Sequence, residues 1–100
     1  PMNQEQKIEG EATGAADALV ALGTMKPGMF GHVIAFDTTD IPDIDPDTAD
    51  RLREMGFAED LEVEVLHQSL IGRDPIAVRI GRMTVALRRR EANIVKVQLV

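Results

Sequence analysis

The chain has no cysteine, no tryptophan and no tyrosine, and its only serine is Ser69. Without cysteine there is no disulfide framework, and no thiolate can act as nucleophile or metal ligand. Such a composition suits a reducing compartment. The aromatics are limited to Phe30, Phe36 and Phe57, too few to build the groove that grips proline-rich peptides. The same scarcity, with a net charge of −6, argues against nucleic acid as a partner. No apolar run approaches the roughly 20 residues that span a bilayer, so the chain is not expected to be membrane-spanning. The opening stretch PMNQEQKIEGEATG lacks the basic and apolar regions of a secretion signal, which makes a cytoplasmic location the expectation. Catalytic signatures are also missing. No histidine sits in a recognised motif, no glycine loop is built for phosphate, and no elbow sequence surrounds Ser69. Paired carboxylates occur only in an acidic loop where nothing would drive their pKa values apart. The expectation is a protein that is not an enzyme.

What the chain does contain is unevenly spread charge and short alternating segments. Residues 37–60 hold nine acidic and two basic side chains, whereas residues 61–100 hold four acidic and seven basic. That basic second half suits an acidic protein surface. One hundred residues suggest one domain with a small core. Residues 1–20 read as a disordered or tag-derived N-terminal extension, and within residues 1–14 Ile8 is the only large apolar side chain after Met2. Ala15 to Gly23 is rich in Ala and Leu, and one or two helical turns ending at Gly23 are expected there. Lys26-Pro27-Gly28 reads as a turn.

Five strands are predicted: FGHVIAF (Phe30–Phe36), LEVEVLH, IAVRI, MTVALR and IVKVQLV. Alternation in the last four places Leu61, Val63 and Val65, Ile76, Val78 and Ile80, Met83, Val85 and Leu87, and Val95, Val97 and Leu99 on buried faces. Gly81-Arg82 is short enough only for a tight hairpin, and Arg89–Asn93 for a single turn of 3₁₀ helix. Between the first two strands lies one short helix. Asp45 is placed to cap it, Pro46 to open it, and Asp47 to pair with Arg51 one turn on. Gly56 is placed to stop it in a left-handed conformation, with Phe57 folding back on Leu52. Five short strands with one wet face predict a small closed barrel, with the helix capping one end.

The order of these pieces carries a resemblance. KPG, a strand, RLREMGF, LEVEVL, the loop GRDP, and IAVRIGRMTVALRRREANIVKV together resemble the ferrous-iron transport protein A (FeoA) family over about residues 22–99. The resemblance implies a mainly β, SH3-like five-stranded barrel with one short inserted helix, occupying residues 21–100. It also implies a cytosolic accessory protein of bacterial ferrous-iron uptake whose partner is the cytoplasmic GTPase part of a membrane transporter. Similar domains form the tails of iron-dependent repressors, so a stand-alone relative of such a tail is an alternative. The extension before residue 20 and the long acidic stretch Asp37–Asp47 depart from the family pattern.

Candidate sites follow from residue types. Leu70 and Ile71, beside Arg73, put apolar side chains at a loop tip, as interfaces do, or fold back over the barrel end. Arg88 and Arg90 fall on one side of a continued strand and would dock an acidic surface, or form a solvated face that pairs with the acidic loop. His32 and His67 are the only histidines; imidazole suits Fe2+ or another divalent transition metal, which would make the chain a metal carrier or sensor. Asp43, Asp45, Asp47 and Glu54 stand at calcium-loop spacing, but Thr48 replaces the required glycine and Pro46 interrupts the loop. That leaves weak cation binding by Asp43 and Asp45 beside plain helix capping. No cofactor is required, and a weak homo-oligomer is compatible with a gap between strands.

Overall fold

The computed structural model describes residues 19–100. The extension assigned to residues 1–20, and the start of the helical turns expected from Ala15, lie outside the described residues apart from Leu19 and Val20. Six strands form one antiparallel sheet: β1 (Leu19–Ala21), β2 (Phe30–Phe36), β3 (Glu62–Gln68), β4 (Ile76–Ile80), β5 (Met83–Leu87) and β6 (Val95–Leu99). Their spatial order is β1-β6-β2-β3-β4-β5. A 3₁₀ turn follows β1 at Leu22–Thr24, helix α1 spans Thr48–Glu54, and helix α2 spans Arg89–Ala92.

The class is as expected, mainly β with one short inserted helix. The strand count is six rather than five, because Leu19–Ala21 is extended and not helical. Leu19, Val20 and Ala21 pair with Gln98, Val97 and Lys96. A strand at the far end of the chain therefore outweighs the helical propensity of a three-residue Ala/Leu segment. The ladder also does not close into a full ring: β1 and β5 are its two edges.

Alternation puts most of the core where periodicity predicts it, but Leu61, which precedes the first residue of β3, is exposed. Val63 and Val65 of β3, Ile76, Val78 and Ile80 of β4, and Val95 and Val97 of β6 are buried. Val33 of β2 joins them from the neighbouring strand. On β5 only Leu87 is buried and Met83 is exposed, as befits an edge strand. The β4–β5 hairpin turns through Gly81 at φ +58°, with Ile80 facing Met83.

Helix α1 contributes Thr48 and Leu52 to the buried residues. Its sequence start lies slightly later than the capping pattern suggests. The Asp45 carboxylate accepts the Asp47 N–H at 2.8 Å in a turn that leads into Thr48. Asp45, rather than Asp47, pairs with Arg51, at 3.6 Å. The stop is as expected. Gly56 has φ +118°, its N–H bonds the Arg53 carbonyl, and the Phe57 N–H bonds the Leu52 carbonyl. These two bonds define a Schellman ending. It buries Phe57 against Leu52 and leaves both almost without solvent contact. Arg53 ties the outer side of the helix down. Its guanidinium lies 4.0 Å from the Phe36 ring centroid and forks onto Glu59 at 3.0 and 3.2 Å.

Candidate functional site: a loop and pocket organised by Arg89

The loop joining β3 to β4, residues 69–75, is closed at its neck by the Ser69 N–H on the Pro75 carbonyl, 3.0 Å. The Ser69 hydroxyl bonds both ways with the Ile71 backbone at 3.2 Å. Gly72 and Arg73 both take positive φ, and the Asp74–Pro75 bond is cis. Leu70 and Ile71 project from the tip, 101% and 87% exposed. They do not fold back over the barrel end.

One side chain braces this loop. The three arginines after β5 do not alternate as a strand would have them, because the strand ends at Leu87 and α2 begins at Arg89. Arg88 and Arg90 therefore do not present a shared strand face. Arg88 is exposed, and its N–H meets Glu91 Oε1 at 3.4 Å. Arg90 reaches the acidic stretch and donates to the Pro42 carbonyl. Arg89 turns inward. Its Nε donates to the Arg73 carbonyl at 2.9 Å, and its Nη1 to the carbonyls of Gly23 and Met25 at 2.9 and 2.8 Å. Its Nη2 donates to Gln68 Oε1, and its backbone N–H to Asp74 Oδ1 at 2.9 Å. One guanidinium thus joins the 3₁₀ turn, the end of β3 and the apolar loop.

Gly23 makes this junction possible. A Cβ there would sit 2.1 Å from the Arg89 carbonyl and from Asn93 Oδ1, so only glycine lets the turn approach α2. Around Arg89 the same segments leave an open pocket of about 460 Å³, lined among others by Lys26, Gln68, Gly72 and Arg73. As binding residues, the sequence marks Arg73 but not Lys26, Gln68 or Arg89. Its only signal for Arg89 was the basic triplet, and nothing local says which of three adjacent arginines points inward.

The metal candidates are not brought together. His32 pairs across the sheet with Glu62 at one end of β3, and His67 lies at the other end. Five residues of strand separate those ends by about 16 Å. Both histidines are exposed. His67 lines a shallow apolar depression of about 200 Å³ with Ile76, Ala77 and Ala86. Asp43 is exposed at positive φ, and Asp45 is occupied by the Asp47 N–H and Arg51. Among the described residues no three histidines or carboxylates gather as a metal site would require.

Comparison with protein families matches the FeoA domain to residues 20–99. The chain belongs to the FeoA family. Similarity to solved structures agrees with this. A FeoA from Stenotrophomonas maltophilia complexed with zinc, described as a prokaryotic SH3 domain protein, is 30% identical with a TM-score of 0.61. The match covers 76% of this chain and 86% of that one. Iron(II) transport protein A from Clostridium thermocellum is 26% identical, with a TM-score of 0.68 over 81% of this chain. This FeoA-family chain matches less than half of that protein's length, 46%. A manganese-dependent transcriptional repressor, 22% identical, has the same fold in part of its length, with a TM-score of 0.68 over 82% of this chain and 42% of that one. Comparison with curated proteins finds no match. The SH3-like class that the family resemblance implied therefore holds for this FeoA-family chain, although its sheet does not close. Among its described residues no helix is long and apolar enough to cross a membrane.

Proposed function

We propose that the chain is a non-catalytic cytosolic accessory protein of bacterial ferrous-iron uptake, acting by contact with the cytoplasmic GTPase part of a membrane iron transporter. The observation that carries this reading is the braced loop of residues 69–75. Two large aliphatic side chains stand almost fully in solvent at its tip, while the backbone beneath them is closed by the Ser69–Pro75 bond at the loop's neck and tied to Arg89. Exposed apolar groups on a preorganised loop lose little conformational freedom on docking. Family membership supplies the ferrous-iron context.

The test is binding of the purified transporter GTPase domain to wild type and to a Leu70→Ala/Ile71→Ala double variant. Both side chains are exposed, so the variant should keep its thermal stability within about 0.5 kcal/mol. Its affinity should fall about tenfold or more, as loss of a central apolar anchor does. Equal affinity of the two proteins would remove the loop from the interface. No binding by wild type would remove the partner.

A metal carrier or sensor is the second reading, favoured by the zinc complex of the Stenotrophomonas maltophilia protein. It would use His32, His67, Asp43 and Asp45 from more than one copy, since one copy does not cluster them. Anaerobic Fe2+ titration of wild type and a His32→Ala/His67→Ala variant separates the two readings.

A further inference from the structure

The pocket beside the apolar loop has a charge pattern that the docking loop does not explain. Its wall contains Lys26, Arg73 and Arg89 and no carboxylate. This occurs in a chain with 17 acidic and 11 basic side chains, where chance placement favours acids near any cation. Elsewhere three arginines do find them: Arg51 pairs with Asp45, Arg53 with Glu59 and Arg79 with Glu64, whereas Arg82, Arg88 and Arg90, in no ion pair among the described residues, are exposed and do not line this pocket. Lys26, Arg73 and Arg89 enter no ion pair among the described residues. Asp74, the neighbouring carboxylate, is engaged by the backbone N–H of Arg89 rather than by any of the three cationic groups.

Arg89 also holds its charge in a fixed place. Four hydrogen bonds to uncharged oxygens orient the guanidinium without neutralising it. A guanidinium has five N–H donors, so one is left unused among the described residues. A volume of about 460 Å³ lies within the range of roughly 300–1,000 Å³ typical of ligand sites.

We propose that this pocket binds the carboxylates of an acidic peptide segment, with Arg89 as the fixed anchor and Lys26 and Arg73 closing on the ligand from the rim. Charge-assisted bonds to guanidinium favour planar carboxylates. A peptide is favoured over a free anion because Leu70 and Ile71 stand on the same loop as Arg73. An acidic side chain in the pocket would therefore carry its neighbours onto exposed apolar surface. The site stands whichever protein supplies the segment, so it can fail without the transporter contact failing, and the reverse.

The test is an NMR titration of the whole ¹⁵N-labelled chain with the blocked peptide acetyl-Asp-Glu-Asp-Leu-Leu-amide. The isostere acetyl-Asn-Gln-Asn-Leu-Leu-amide and inorganic phosphate serve as comparisons. The expected result is movement of the amide signals of Thr24, Lys26, Gly72 and Arg73 by the acidic peptide alone. A Lys26→Ala/Arg73→Ala variant, whose altered side chains make no bonds within the described residues, should keep the wild-type spectrum. It should bind the peptide about tenfold more weakly, the loss expected for removing charge-assisted contacts. Raising the salt from low to about 0.3 M should weaken wild-type binding through screening. No movement at millimolar acidic peptide overturns the assignment. So does equal movement by the isostere, or movement by phosphate without movement by the peptide.

Discussion

Arg89 has no special position in the sequence, yet its side chain touches more separate segments than its neighbours in the basic triplet do. Its partners Gly23 and Met25 lie 66 and 64 residues earlier, and Gln68 lies 21 earlier. Replacing it by alanine would leave the carbonyls of Gly23, Met25 and Arg73 without this donor in a half-buried site. Arg89→Ala should destabilise the fold by about 2–4 kcal/mol, given the cost of unmaking charge-assisted bonds. The urea midpoint reads this directly. Arg89→Lys should recover only part of it, because an ammonium cannot reproduce a planar fork. A midpoint unchanged in Arg89→Ala would mean that water replaces the guanidinium at no cost, and the brace would lose its structural meaning. Arg88 and Arg90 show the complementary lesson. They looked like a pair because they are two apart, but alternation holds only while the strand continues, and it ends at Leu87.

At the scale of elements, the short helix answers to local chemistry at both ends. Asp45 satisfies a backbone donor at the entrance, and Gly56 reverses the chain at the exit. Gly56→Ala is expected to cost about 1–2 kcal/mol from the positive φ alone, since a Cβ is disfavoured in that region. An added Cβ would also lie 2.9 Å from Met83 Cε, although that methionine is exposed and can move. Chemical denaturation of the single variant reads the effect, and a loss below a few tenths of a kcal/mol would contradict the Schellman assignment. These signals were legible because cap residues act over a span of a few positions. The first strand was not legible for the opposite reason. Leu19–Ala21 has no alternation of its own to read over three residues, and only its ladder to β6 makes it a strand.

For the whole molecule, acid is the informative stress. Asp37 is held below the usual carboxylate range, first by the Thr39 hydroxyl and then by the Thr39 N–H, both donating to its Oδ1. Glu59 is lowered chiefly by the hydrogen bonds from Arg53. A lowered carboxylate favours the folded state above its unfolded pKa, and that contribution disappears as pH falls through the folded value. The melting temperature should therefore fall as pH drops below the ordinary range for Asp and Glu, about 4. An Asp37→Asn/Glu59→Gln variant should start lower at neutral pH and show a shallower decline. A decline parallel to wild type would show that these two groups do not contribute to it. The matching rise at Arg53, caused first by its bond to Glu59, acts only at strongly alkaline pH and leaves this window untouched.

By itself the amino-acid sequence determined β2 to β6, the inserted helix with its glycine stop, the tight Gly81 hairpin and the family. Each of these is written in periodicity, turn chemistry or the order of short motifs. Only the tertiary structure decided that residues 19–21 form a sixth strand, that the ladder stays open between β1 and β5, that His32 and His67 stand apart, and that Arg89 rather than Arg88 or Arg90 faces inward. The physical reason is range. Capping and alternation act between residues a few positions apart, whereas strand pairing and a bracing guanidinium depend on groups dozens of residues away, which come near only once the core has formed.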